Sequence, residues 1–264
     1  MGTQSTRGFT IIETMLFLAI SGVLIVAMIA GTGAAINIQR YRDAVETFKS
    51  LLQDQYSALS SVDNQRDDTW NCTPLAVTEA EGSEIRGQSD CMVLGRYVTV
   101  VGDKISLYTV IGAGSASGGN DITNLATKYV LNVSSVDQET MTMEWGTQIA
   151  WPKDGIDAKR DATPRSFGIL LVRSPDSGQI YTFTSDVVAD EPSAQTLQSM
   201  VVAGTGTAGA GQTERYICVN SNGLFVSDDQ SIYISQYATG PSSIESRSDG
   251  VIESLGGGNT QCAR

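Results

Sequence analysis

The chain reads as an α+β protein: a long N-terminal α-helix, membrane-spanning in its first half and amphipathic in its second, packed on a C-terminal antiparallel β-sheet domain. Three observations predict this. No charged residue occurs from Thr14 to Gln39, a run of 26 positions, and a helix needs only about 20 apolar residues to cross a bilayer core. Apolar residues then recur at three- and four-residue spacings up to about residue 60. Beyond that point the pattern changes to short runs rich in Val, Ile, Thr and Tyr, bounded by Gly, Asn, Asp, Ser and Pro, which is the pattern of strands and turns.

The helix is expected to run unbroken from Phe9 to about Ser60, roughly 78 Å at 1.5 Å per residue. Residues 9–39 form its transmembrane half. Residues 40–60 form the amphipathic half, where Tyr41, Ala44, Val45, Phe48, Leu51, Leu52, Tyr56 and Leu59 make one apolar stripe between charged and amide side chains. No Pro interrupts the span. Gly22, Gly31 and Gly33 are its weak points, each costing about 1 kcal/mol against Ala in a helix. One carboxylate, Glu13, stands at the start of the apolar run. A charge in the middle of a membrane helix costs roughly 2.5–3.5 kcal/mol even on lenient scales, and such a residue is functional by default. A compensating partner for Glu13 is therefore expected.

The motif that carries this acid is Arg7-Gly8-Phe9-Thr10-Ile11-Ile12-Glu13. It resembles the N-terminus of the type IV pilin family, including the pseudopilins: a short basic leader ending in Gly, a mature chain starting with Phe, and Glu as its fifth residue. The resemblance implies that residues 1–8 are a leader, that a prepilin peptidase cuts between Gly8 and Phe9, and that the new Phe9 amine is methylated. It further implies that Glu13 faces the Phe9 ammonium of a neighbouring subunit in a filament, which would compensate the buried charge and set axial register. Two features depart from that pattern. Ala30 stands where many family members carry a helix-breaking Pro. Arg40 and Arg42 flank the outer end of the span against Arg7 alone on the inner side, which the positive-inside rule does not favour. A secretory signal peptide, with Gly33-Ala34-Ala35 as its cleavage site, fits less well, because such an apolar region is only about 7–15 residues long.

Residues 61–264 are expected to form one extracytoplasmic β-rich domain. Arg96–Val101 and Lys104–Ile111 flank Gly102-Asp103, a hairpin with a two-residue turn. Ser166–Arg173 and Gln179–Ser185 form a second hairpin around Ser174-Pro175-Asp176-Ser177-Gly178. Arg215–Asn220 and Leu224–Ser227 form a third around Ser221-Asn222-Gly223, followed by Ser231–Ser235. Lys128–Val136 and Gln138–Trp145 are read as another pair. Gly112–Asn120, Ala203–Gln212 and Gly256–Thr260 read as surface loops. Residues 133–165, with Trp145 and Trp151, read as an elaboration of the core fold.

Four cysteines, Cys72, Cys91, Cys218 and Cys262, all follow the span. Four allow three pairings, of which the sequence-local Cys72–Cys91 and Cys218–Cys262 are expected. Disulfides suit an extracytoplasmic domain. With no His in the chain and no C-x-x-C pair, zinc is not expected, and Ser-His-Asp or Cys-His catalysis is excluded. The acidic pairs Asp67-Asp68, Asp154 with Asp157, and Asp228-Asp229 lack the spacing of a calcium loop and read as solvated turns.

Gly204-Thr205-Gly206-Thr207-Ala208-Gly209 fits G-x-G-x-x-G with Asp228 and Asp229 downstream, but a dinucleotide site needs a helix beginning inside the motif. A strand-like run follows instead, so a loop is expected and no cofactor. The chain carries −12; losing Arg7 with the leader leaves 16 basic against 29 acidic side chains, or −13. Such acidity repels phosphate backbones, and a patch around Arg160, Arg165 and Arg173 is diluted by Asp161. No nucleic-acid partner is expected.

These readings converge on a non-enzymatic structural subunit. As the resemblance implies, it is held in the inner membrane as a single-pass precursor and polymerises with other pilin subunits through its helix, served by a prepilin peptidase and an assembly platform. The alternative is a membrane-anchored surface binding module or adhesin that does not polymerise.

Overall fold

A computed structural model describes residues 10–60, 70–73, 76–79, 91–115, 118–134, 138–150, 166–185, 188, 192–205, 215–222, 224 and 230–248. Its first element, α1, is a single 50-residue helix, Ile11–Ser60, about 75 Å long at 1.5 Å per residue. Strands β1 (Trp70–Thr73) and β2 (Ala76–Glu79) pair with one another. Next come β3 (Met92–Val101) and β4 (Lys104–Gly114), then a short helix, α2 (Asp121–Thr127). Strands β5 (Tyr129–Val133), β6 (Glu139–Thr142) and β7 (Gln148–Ala150) follow. Two longer strands, β8 (Ser166–Arg173) and β9 (Ile180–Ser185), lead to helix α3 (Ala194–Thr205). The described residues close with β10 (Arg215–Asn220), β11 (Gln230–Ile234) and β12 (Ile244–Ser248).

All strand pairings among the described residues are antiparallel. One sheet has the order β5-β4-β3-β8-β9, with β6 also on β4; a second has the order β12-β11-β10-β7. Both lie against the second half of α1. Tyr41, Val45, Phe48, Leu52, Tyr56 and Leu59 share one apolar core with Val98, Val100, Phe167 and Ile169 of the larger sheet and with Ile217, Val219, Ile232 and Ile234 of the smaller. The amphipathic stripe is thus the predicted one, with Leu51 at its half-buried edge.

The opposite face of the larger sheet is not solvated. Tyr97, Val110, Leu170, Val172 and Phe183 form a second core with Leu125 of α2 and Leu197, Met200 and Val201 of α3. Burial on both faces explains why β3, β4 and β8 read as nearly continuous apolar runs rather than alternating ones. Neither small helix is anticipated from the sequence, although both carry start signals. Asn120 Oδ1 accepts from the Ile122 and Thr123 amides at 3.0 and 3.2 Å, and Ser193 Oγ accepts from the Thr196 amide at 3.3 Å. These are N-caps.

The hairpins divide into those as expected and those to be corrected. Val101 opposes Lys104 across Gly102-Asp103, and Gly102 takes φ +66°, the sign a type II′ turn requires at its first position. Arg173 opposes Ile180, as expected of the β8–β9 hairpin. The third hairpin differs. Ser221 O accepts from the Leu224 amide at 3.1 Å, closing the expected turn, but β10 is flanked by β11, with Val219 opposite Gln230, and by β7, with Val219 opposite Ile149. Leu224 instead packs half-buried against the main core, and 225–227 lie outside the described residues.

The expected pairing of Lys128–Val136 with Gln138–Trp145 is also corrected. Both β5 and β6 lie end to end along β4, against Val110–Gly114 and Lys104–Leu107 respectively. An 11-residue strand is long enough to hold both. The segment expected as a loop from Gly112 is strand up to Gly114, and the one expected from Ala203 is helix up to Thr205. Residues 206–212, the Gly256–Thr260 loop and the part of the 133–165 elaboration beyond Ala150 lie outside the described residues.

Two tyrosines fasten the stripe to the sheets. The Tyr41 hydroxyl donates to Val219 O at 2.8 Å and accepts from the Gln230 amide at 2.7 Å. Tyr56 Oη lies 2.7 Å from Thr182 Oγ1, whose proton goes to Ala238 O at 2.7 Å, so Tyr56 is the donor to Thr182. Burial pushes the Tyr56 phenol up to about 12, and it stays a neutral donor. Tyr97 contrasts with both. Its ring lies over Gly168, where an added Cβ would come within 2.9 Å of Oη, and its buried hydroxyl finds no hydrogen-bond partner among the described residues.

An unpaired buried hydroxyl costs its desolvation, whereas a paired one contributes about 1 kcal/mol net. Thermal melts of single variants should therefore separate the two: Tyr97→Phe holds or raises the midpoint, while Tyr56→Phe loses about 1 kcal/mol. An equal loss in both would show that Tyr97 has a partner.

Candidate functional site

The residues of α1 that touch nothing make its most distinctive surface. From Ile11 to Ile36 the helix carries fourteen large apolar side chains in solvent, among them Ile12 at 78 % exposure and Phe17 at 70 %. None of the three span glycines has another group within 4 Å of where a Cβ would stand, and the helix runs through them unbroken. The domain takes hold only at Asn37 and Ile38, which are half-buried, and fully at Tyr41. Leaving a large apolar side chain in water forgoes roughly 1.5–3 kcal/mol. Fourteen together forgo on the order of 20–40 kcal/mol, more than the roughly 5–15 kcal/mol net stability of a whole domain. Cover by lipid or by other apolar helices would recover that free energy, and the helix is long and apolar enough to span a membrane.

At the tip, Glu13 sits in the first turn. Its Oε2 accepts from the Thr10 amide at 3.0 Å and from the Thr10 hydroxyl at 3.1 Å, while Thr10 Oγ1 accepts from the Glu13 amide at 3.3 Å. This is a capping box: Thr at the N-cap and Glu three residues later satisfy each other's free amides. Thr or Ser three residues before Glu, ahead of an apolar run, is the sequence signal for it, and Thr10 carries that signal. The carboxylate therefore has a partner within its own chain. It also sits beside the positive end of the helix dipole, which favours an acid.

Phe9 and Gly8 lie outside the described residues. So do Cys262, the Cys72 side chain, and the acidic pairs Asp67-Asp68, Asp154 with Asp157 and Asp228-Asp229. The other two cysteines are placed. Cys91 is buried just before β3 against Ile111 and Ala113, and Cys218 is buried in β10; both are disulfide-bonded. Among the described residues no three or more His, Cys, Asp or Glu side chains gather as a metal site. The glycine motif begins at the C-terminal end of α3, so a phosphate there would meet helix carbonyls rather than the amides it needs. Arg173, the described member of the dilute basic stretch, donates Nε–H to Gly178 O at 3.3 Å within its own hairpin.

A carboxylate cluster elsewhere serves packing. Asp121, at the start of α2, accepts from Ser177 Oγ and from Tyr181 Oη, the latter at 3.1 Å. These hydrogen bonds, Ser177 foremost, hold its carboxyl below the usual range. Asp176 accepts from Asn124 Nδ2 at 3.1 Å. Together they tie α2 to the β8–β9 turn.

No protein-family model matches the chain, and neither does any curated protein or solved structure.

The two halves of α1 should respond unequally to truncation of equal side chains. Phe48 is buried in the core and Phe17 is exposed. In detergent, Phe48→Ala is expected to destabilise the domain by about 3–5 kcal/mol, and Phe17→Ala to change it by less than about 0.5 kcal/mol. Deletion of residues 1–36 should leave a folded, water-soluble domain, read by gel filtration and near-ultraviolet circular dichroism.

Proposed function

We propose that the chain is a structural subunit of a type IV pilus or pseudopilus, held in the membrane by α1 and assembled through it. The observation that carries this reading is the division of one unbroken helix: half locked into its own domain, half apolar and bare, with a single acid at the tip. A rigid rod of this kind can pass from lipid into a bundle of like helices without refolding. Lipid contacts are exchanged for helix–helix contacts of similar apolarity, so packing and the few polar groups set register. Within this reading Phe9 is the mature N-terminus after cleavage at Gly8, and Glu13 pairs across subunits with the Phe9 ammonium.

The capping box sharpens the test of Glu13, because it offers a second reason for the acid. Gln also serves at the third position of a capping box but carries no charge. If the charge pair drives assembly, Glu13→Gln and Glu13→Ala both leave the subunit membrane-bound and deplete sheared surface filaments. If the cap alone matters, Glu13→Gln assembles normally and only Glu13→Ala fails. Normal filaments with both variants at native subunit levels would remove Glu13 from assembly.

Processing is tested separately, by the N-terminal mass of protein from its own cell. N-methylated Phe9 supports the reading. An intact Met1 or a start at Ile36 refutes it and leaves the membrane-anchored or released binding module.

A further inference from the structure

Trp145 combines strain and exposure. It has φ +57° and ψ 22° and is followed by Gly146 at φ +70°. A left-handed backbone is routine for Gly but an outlier for a bulky residue, and such outliers concentrate where the strain serves function. The ring is nonetheless 51 % exposed, so core burial does not account for the strain. The segment is held firmly around it. Thr147 is buried and donates through its amide and hydroxyl to Glu144 O at 3.1 and 2.9 Å; Asn222 Nδ2 donates to Gly146 O at 3.0 Å.

Its neighbour fixes where it stands. The Arg40 guanidinium carbon lies 4.7 Å from the centre of the Trp145 ring, within cation–π range. Arg40 is the first charge after the 26-residue uncharged run. That run measures about 39 Å as a helix, against roughly 30 Å of hydrocarbon and 40–45 Å with headgroups included. A helix centred in the bilayer thus brings Arg40, and the ring against it, into the headgroup layer. This is the layer in which Trp concentrates, with an apolar face and a polar N–H.

We propose that Trp145, braced by Arg40, docks the globular domain onto the bilayer surface and sets its depth and tilt before assembly. The inference rests on the membrane insertion of α1. It gives Arg40 a role at the outer boundary that the loop-charge rule does not account for: its charge faces headgroup phosphates and braces the ring.

The test compares the full-length chain with Trp145→Gly, each reconstituted in phosphatidylcholine vesicles. The glycine suits the left-handed backbone, so this variant should melt at or above the wild-type midpoint. The difference between the two emission spectra isolates Trp145 from the chain's other tryptophans. The expected result is a difference emission quenched by lipid brominated near the top of the acyl chain and shielded from aqueous iodide, with both proteins floating with the vesicles. Full access to iodide in a floating chain overturns the docking while leaving insertion intact. Shielding from both quenchers overturns it in favour of contact with a second copy. A Trp145→Gly chain that does not fold makes the ring a folding determinant and overturns it too. If neither protein floats, the membrane reading falls and the inference with it.

Discussion

Burial of one helix face between two sheets is the constraint on which the rest of the molecule depends. Among the described residues neither sheet closes on itself, and each presents its apolar face to the stripe from Tyr41 to Leu59. That stripe is the common wall of the main core. Tyr41 and Tyr56 add direction to an otherwise greasy contact, because each hydroxyl reaches particular groups on different strands. Sliding the helix by one turn would strand both hydroxyls in the core, where an unmade hydrogen bond costs more than a made one contributes. Axial position is therefore set by polar atoms and adhesion by apolar area.

The same helix also carries the large bare apolar surface from Ile11 to Ile36. Because it is continuous, the position of its buried half determines the position of its bare half. Any force on the tip is transmitted to the domain through the stripe rather than through a hinge. The larger sheet is stiffened in turn from behind by α2 and α3, whose core encloses Tyr97 and Phe183. The layered order, helix, sheet, two small helices, leaves β3, β4 and β8 without a wet face. It also places the Tyr97 ring among apolar side chains of the second core and over Gly168, with no hydrogen-bond partner for its hydroxyl among the described residues.

Much of this was legible in the residues. Periodicity located the stripe because a helix one-third buried must repeat every three or four residues. Turn chemistry located the β3–β4 and β8–β9 hairpins because Gly102 and the Ser174–Gly178 segment permit few other paths. Legibility failed where partners are distant. That β5 and β6 both lie along β4, and that β10 pairs with β11 beyond a turn that closes locally, depends on which edge is free in space, which local pattern does not carry. The helices α2 and α3 were missed although Asn120 and Ser193 announce them. They are short, and their apolar spacing makes sense only once the back of the sheet is known to need cover. At the tip, Thr10-x-x-Glu13 was written in the sequence as a cap, but the cost of a charge in lipid drew attention to an external partner first.

By itself the sequence determined that a long apolar helix leads an antiparallel β-rich domain, and that no histidine chemistry operates in it. Both follow from composition and short-range spacing, which every copy of the chain carries whatever its fold. Tertiary structure alone decided that the stripe serves two sheets and that the domain's grip begins at Asn37. It alone brought Trp145, more than a hundred positions downstream, against Arg40. Such contacts arise from the closure of long loops around a shared core, and no local pattern of residues encodes which ends will meet.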